Sequence, residues 1–484
     1  MADTFFFYDL ETSGISPRGD RIMQFAGQHC DENFQPVGKL INQLIKLSPD
    51  ILPQPEAILL TGIMPADCAA KGISEAEFAD LFNQQIAKPH TIFVGYNNLR
   101  FDDEFIRFLN YRNFYDAYEW HWRGGNSRWD LLDLVRMTRA LRPDGLKWPF
   151  AEDNKPTNRL ELLTSANDLS HSDAHDAASD VLATIELAKL ISSKQPTIFN
   201  YSLNMRKKDE VIALVDSRLP YVYTSSHFSS EFLHTTVVTT LSIDPHHSSA
   251  LVYDLRQDPK QFLDLSVDEL VERWRYDPEA VSPRLPIKTM KFNRCPAVAP
   301  LSVLNIDCQK RLDLDLDIIK ANLEVINNAK DEFNKKLTQV VKSLDSQRQE
   351  RQQAPEFKQL TAEQRLYDKF LSKSDQAKFP KARSQAASSS SKQLDFEDDR
   401  LTELYLLYKA RNFPGSLDQT ETKDWHNYVK QKLFTKVTGS SAWEQYKARL
   451  NELKQLHKSE PAKLKTLKAL DQWAKTIADD YAAD

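Results

Sequence analysis

Glycine is scarce in this chain, at 12 of 484 residues, where an average protein carries about 7%. That disfavours a Gly-rich phosphate cradle, and neither a GxGxxG nor a Walker A pattern occurs. Cysteine is rarer still. Cys30, Cys68, Cys295 and Cys308 stand far apart, with no CxxC and no Cys/His metal spacing. A disulfide framework and a structural zinc are therefore not expected, and a reducing compartment is. Nor is there a long apolar run: no stretch approaches the roughly 18 residues of a membrane span. The opening Met1-Ala2-Asp3-Thr4 carries an acid where a leader has basic residues, and Phe5 to Tyr8 is too short for a leader core. A cytoplasmic location with no membrane contact is the expectation. Finally, there is no excess of basic charge. Lys and Arg number 63 against 69 Asp and Glu, a net charge of −6. A uniformly basic coat is excluded, so a nucleic-acid partner would need a local basic groove.

At roughly 100 to 200 residues per domain, the length predicts two to four domains. Phe5-Phe6-Phe7-Tyr8 reads as a strand buried on both faces that ends at Asp9. Arg21 to His29 and Lys39 to Leu47 read as further strands beside it, and Thr91 to Tyr96 as another that runs into a helix. A long helix is predicted from Ala174 to Ile191, with Ala178, Val181, Leu182, Ile185 and Ala188 on one face. This is a mixed α/β domain over 1–194. Short strand-like runs at Pro220 to Thr224, Thr235 to Ile243 and Ala250 to Leu255 predict a small β-rich domain over 195–350. Charged helical sequence from about Asp317 onward predicts a helical C-terminal domain over 351–484, with the Ser-rich run 384–393 as a loop.

Three fragments carry chemistry. Asp9-Leu10-Glu11 places two carboxylates on one side of an extended chain, a pair able to bind a metal. In Asn98-Leu99-Arg100-Phe101-Asp102, the acid opens a helix. Asp102 shares a face with Phe105, Ile106 and Leu109, whereas Asp103 shares one with Arg107 and Asn110. An acid on an apolar face needs a partner, so Asp102 is the ligand candidate, and Asp103 reads as an exposed partner of Arg107. The third fragment, His171-Ser-Asp-Ala-His175-Asp-Ala-Ala-Ser-Asp180, puts a histidine ahead of a helix and an acid inside it. The small neighbours Ala177 and Ala183 are read as room for a ligand.

Asp9-x-Glu11, Asn-x-x-Phe-Asp102 and His175-x-x-x-x-Asp180 together resemble the three motifs of the DEDDh 3′-to-5′ exonucleases of the ribonuclease H-like fold. More narrowly, the chain is similar to the bacterial exodeoxyribonuclease I family. Leu52-Pro-Gln-Pro55, Gly95-Tyr-Asn-Asn98, Arg112-Asn-Phe-Tyr115, Asn126-Ser-Arg-Trp-Asp-Leu-Leu-Asp133, Cys295-Pro296 and Ala410-Arg-Asn-Phe-Pro-Gly415 carry the likeness from end to end. The resemblance implies a catalytic set of Asp9, Glu11, Asp102, His175 and Asp180. The four acids would hold two Mg²⁺ ions, with Mn²⁺ as a substitute, and His175 would act as the base. The substrate implied is single-stranded DNA, degraded to nucleoside 5′-monophosphates in repair and recombination. An SH3-like domain and a helical domain would close a positive channel around the strand and make hydrolysis processive. The resemblance also implies a monomer that receives the acidic C-terminal tail of the single-stranded DNA-binding protein on a basic rim including Arg142 and Arg311.

Substrate contacts are expected from Glu11, from Thr12 just past it, and from Arg159, which matches a family arginine and can hold a phosphate by paired hydrogen bonds. Arg107, Tyr118, Trp122 and Arg136, interspersed with Arg123 and Arg128, mix bases with aromatics in the manner of a single-strand groove. Lys208, in Arg206-Lys207-Lys208, is expected to clamp the strand from the second domain. Two other readings stay open: an RNA-trimming nuclease with the same five residues, which would not need residues 195–484, and a non-catalytic single-strand-binding module.

Overall fold

A computed structural model describes residues 3–171, 176–244, 246, 248–275, 279, 282–353, 360–388, 394–437 and 439–482. Its first sheet has the order β3-β2-β1-β4-β5, with β1 Thr4–Thr12, β2 Ile22–Cys30, β3 Pro36–Leu44, β4 Thr91–Gly95 and β5 Ser127–Asp130. The pairs β1–β2 and β2–β3 are antiparallel, and β1–β4 and β4–β5 are parallel. Alternation along β1 sends Phe5 and Phe7 into a core shared with the helix Ala177–Lys194. Phe6, Tyr8 and Leu10 enter a second core with Phe78, Phe105 and Leu109 on the other face. The strand does not stop at Asp9. It runs to Thr12, so Asp9 and Glu11 are held in the ladder opposite Ala26 and Gln24, on the face that the helix Ala177–Lys194 covers.

That helix begins later than the sequence predicts. Leu182 is exposed, while Ala177 and Ala183 are fully buried. The two alanines therefore let the helix lie close on the sheet; they do not open space for a ligand.

After the helices Pro196–Asn204 and Lys208–Asp216, a second sheet has the order β10-β6-β7-β8-β9, antiparallel throughout. Its strands are β6 Tyr221–Thr224, β7 Thr235–Asp244, β8 Ser249–Asp254, β9 Ile287–Lys291 and β10 Ala297–Pro300. The long helix Leu316–Gln353 adds Ile319, Ile326, Phe333, Leu337 and Val340 to the core of this sheet. The remainder is helical, chiefly Asp399–Asn412, Gln419–Phe434, Ala442–Leu456 and Pro461–Tyr481. The Ser-rich run does not begin as a loop, since Ser384 and Gln385 end the helix Phe379–Gln385; residues 389–393 lie outside the described residues.

Two polar nodes join the parts. Asp50 accepts from Arg411 Nη2 at 2.7 Å and from Lys432 Nζ at 2.6 Å. Glu363 meets Arg21, Arg411 (2.8 Å) and Lys432 (3.1 Å). Burial alone would raise both carboxyls, but the surrounding cations outweigh it and hold both well below the usual carboxylate range. At the second node, Glu104 of the first domain accepts from Arg107 at 2.6 Å, from Arg294 of the β-rich part at 3.1 Å, and from the Tyr367 hydroxyl of the helical part.

Candidate active site

Three elements deliver the acids. Asp9 and Glu11 stand two apart on β1 and share a face. Asp180 stands in the first turn of the helix Ala177–Lys194, whose start is pinned twice. Asp176 caps it by accepting from Ser179 N at 3.1 Å, and Gln24 of β2 donates to the other oxygen of Asp176 at 2.9 Å. Each of Asp9, Glu11 and Asp180 offers one ligand oxygen, and these oxygens lie within 4.8 Å of one another. Asp102 opens the helix Asp102–Arg112 just beyond β4. The chain turns there because Gly95 lets the backbone fold back; a Cβ at that position would sit 2.6 Å from Asn98 Cβ.

The acids crowd one another. Burial, then Asp102 and Asp180, push the Asp9 carboxyl well above the usual range. Burial, then Asp9 and Asp180, push Glu11 up to about 9. Asp102 is raised by burial and by Asp103, and its Oδ1 is buried without a hydrogen-bond partner. Clustered carboxylates, of which Asp9, Glu11 and Asp102 are raised by burial and by their acidic neighbours, and an orphaned buried acceptor are what a divalent cation with oxygen preference fits.

One sequence expectation is overturned. Asp103 is not an exposed partner of Arg107; it is 0% exposed, paired with Arg128 and accepting from the Tyr8 hydroxyl. The helix Asp102–Arg112 is buried on both sides because Phe108 and Tyr111 enter a core with Leu401, Leu404 and Tyr408 of the helical domain. Periodicity alone assigns that side to solvent.

The cavity beside the acids, about 460 Å³, is lined by Asp9, Asp180, Tyr96, Arg136, Arg159, Glu161 and His234, among others. Arg159 is exposed there and pairs with Glu161 at 2.6 Å. Arg136 pairs with Asp133 at 2.7 Å, while its Nε is buried without a partner.

Similarity to known proteins agrees with this geometry along the whole chain. Residues 6–188 match the model described as Exonuclease, 206–343 that of the Exonuclease I SH3-like domain, and 360–477 that of the Exonuclease I C-terminal domain. The exodeoxyribonuclease I of Haemophilus influenzae is 38% identical over 479 residues, 97% of this chain and 98% of that protein. The chain belongs to the exodeoxyribonuclease I family. Among solved structures, Escherichia coli exonuclease I in complex with a dA16 oligonucleotide is 35% identical with a TM-score of 0.90, covering 98% of this chain and all of that one. An ExoI/SSB-Ct complex is 35% identical with a TM-score of 0.89, covering 99% and 100%. This exodeoxyribonuclease thus combines a ribonuclease H-like exonuclease domain with an SH3-like domain and a helical domain.

The other sequence candidates of this exodeoxyribonuclease I family member lie as follows. Thr12 is buried and its hydroxyl donates to Gly14 O at 2.7 Å. Arg107 is buried beneath Tyr118, its guanidinium 5.6 Å from that ring centre, and Tyr118 in turn meets Phe370 of the helical domain at 6.3 Å. Trp122 is 57% exposed. Arg128 serves Asp103 and does not face a groove. Lys208 donates to Ser248 Oγ at 2.9 Å, and Arg206 ties the second domain to Asp3 at 2.8 Å. Arg142 and Arg311 donate to Val303 O (3.1 Å) and Ala140 O (2.8 Å), across the seam between the first two domains.

His175 lies outside the described residues. The other histidine of the same motif, His171, was not singled out from sequence. Its Nε2 is 2.6 Å from Asp180 Oδ1 and its Nδ1 is 3.0 Å from Thr164 Oγ1. That hydroxyl also donates to Leu160 O at 2.8 Å, and the two contacts hold the ring between Thr164 and Asp180. The doubled histidine of His171-x-x-x-His175 was the signal available.

Proposed function

We propose that this exodeoxyribonuclease degrades single-stranded DNA from its 3′ end to nucleoside 5′-monophosphates. The observation that carries the reading is the convergence of Asp9, Glu11 and Asp180 within 4.8 Å at a cavity whose other wall holds Arg136 and Arg159. Asp9, Glu11, Asp102 and Asp180 are the residues that would hold two Mg²⁺ ions, with Mn²⁺ as a substitute. Divalent metal there supplies charge neutralisation at the scissile phosphate and acidity to water at neutral pH. His175 takes the proton of the attacking water, a task suited to an imidazole near its ordinary pKa. Arg159 and Arg136 hold phosphate oxygens, and Thr12 meets the terminal nucleotide.

Farther from the centre, Trp122 and Tyr118, with Arg107 beneath, give the strand a stacking surface. Lys208 meets it from the second domain. With the three domains of 1–194, 195–350 and 351–484 closed around the strand, hydrolysis is processive and the enzyme acts as a monomer in cytoplasmic repair and recombination. The relative solved with dA16 supports the DNA substrate, and the ExoI/SSB-Ct complex supports a partner, the acidic tail of the single-stranded DNA-binding protein, received near Arg142 and Arg311.

The test is a product ladder from 5′-labelled single-stranded DNA, matched duplex and single-stranded RNA, each with Mg²⁺ and with EDTA. We expect Mg²⁺-dependent shortening of the single-stranded DNA from its 3′ end, with the duplex and the RNA spared. Binding without shortening, or a preference for RNA, would reject the reading.

A further inference from the structure

The cavity beside the acids is not walled by the nuclease domain alone. His234, the residue before β7 of the SH3-like domain, lines it together with Asp9, Asp180, Arg136 and Arg159. The ring is held in place by its backbone. His234 N donates to Ser229 O at 2.9 Å, and its carbonyl accepts from Ser225 N at 2.8 Å. Leu233 and His234 both adopt positive φ, +50° and +59°, a conformation that residues with a Cβ keep only where their surroundings over-determine it. Its Nδ1 stands 2.9 Å from Phe228 O and can only donate to that carbonyl. In the neutral ring Nε2 therefore carries the lone pair. Neutrality is favoured by burial and by Arg136 and Arg139, which together outweigh the Phe228 hydrogen bond and Asp133 and hold the ring below its ordinary pKa.

Arg136 and His234 thus bring complementary chemistry to one wall. The unpartnered Nε of Arg136 is a cationic donor and suits a phosphate. A neutral imidazole acceptor repels phosphate oxygen and takes an O–H or N–H group.

Building on the function proposed above, we propose that His234 positions the nucleoside of the bound 3′ end, through a sugar hydroxyl or a base N–H, so that the exonuclease site is shared between two domains. His234 is a positioning residue here; the acids remain the reacting machinery.

The test uses the full chain with His234→Gly, which removes the ring where a glycine backbone is at ease, and His234→Gln, which restores an acceptor. We expect His234→Gly to raise KM about tenfold, the size carried by one buried hydrogen bond, with kcat within about twofold. His234→Gln should recover most of that loss. The increase should be equal on a trinucleotide and a 20-mer, whereas Trp122→Ala should weaken only the longer strand. It should leave the salt dependence of binding unchanged, while Arg136→Ala lowers that slope by about one. An abasic 3′ terminus separates the two donors: the penalty vanishes there if the base is held and persists if the sugar is. An unchanged KM in His234→Gly, an increase confined to long strands, or a flattened salt slope would each overturn the proposal. If the unmodified enzyme fails to shorten DNA at all, it is the functional reading that falls.

Discussion

An Asp9→Asn enzyme is expected to lose turnover by about a thousandfold or more and yet to melt at a higher temperature than the unmodified protein when both are held in EDTA at pH 8. The first effect follows from the ligand set: losing several kcal/mol of charge stabilisation in the transition state, at about 1.4 kcal/mol per factor of ten, gives that size. Single-strand binding should survive, because Arg159, Trp122 and the rest of the groove are untouched. The second effect follows from the crowding. Asp9 and Glu11 both have folded-state pKa values above their unfolded ones, Glu11 at about 9. Between the ordinary carboxylate range and those raised values, the folded state binds more protons than the unfolded state, so stability falls as pH rises through that window. The amide is uncharged without taking up a proton, so the variant escapes Asp9's share of this loss. Near pH 4 the two melting temperatures should converge. Saturating Mg²⁺ should reverse their order, since a ligand that binds only the folded site stabilises the protein that keeps it. An Asp9→Asn protein with full turnover, or one that melts lower than the unmodified enzyme in EDTA, would defeat the assignment of this cluster.

Asp103→Ala is expected to cost about 3–5 kcal/mol of folding stability, the range for removing one partner of a buried ion pair. The substitution leaves the guanidinium of Arg128, itself 5% exposed, without its counter-ion, and the Tyr8 hydroxyl without its acceptor. Urea unfolding read by tryptophan fluorescence measures it. Arg128→Ala should cost a similar amount, and the double variant less than the sum, because the pair is lost once. A change below about 1 kcal/mol, the value of an exposed pair, would return Asp103 to the surface.

The contrast between these neighbouring acids explains what the sequence made readable. β1 was legible because four aromatic residues in a row need cover on both faces, and the spacing of Asp9 and Glu11 turns any extended conformation into a shared face. Asp180 was legible from a helical pattern that begins near it. The strand order of the SH3-like domain, and the role of Asp103, were not. Helical periodicity speaks of one amphipathic face, whereas Asp103 is covered by Tyr8 of β1 and Arg128 of β5, and the side carrying Phe108 and Tyr111 by residues nearly three hundred positions later in the chain. Leu182 was misassigned because an apolar residue at helical spacing is indistinguishable, in sequence, from one that faces the sheet. His234 left no trace at all: it reaches the cavity across a domain seam, and a histidine before a strand carries no local pattern. His171 was visible but overshadowed by His175, which fits the family spacing.

The Arg21–Glu363 contact spans 342 positions of the chain, and that separation is also a delay. At synthesis rates of about 5–20 residues per second, roughly 20–70 s pass between the emergence of Arg21 and of its partner. Until then Arg21 keeps its neighbour Glu75, 3.8 Å away in its own domain, but lacks the helical wall that carries Glu363. The order of the domains along the chain is thus an order of emergence in time, in which the exonuclease domain comes first and the helical domain that supplies Glu363 comes last.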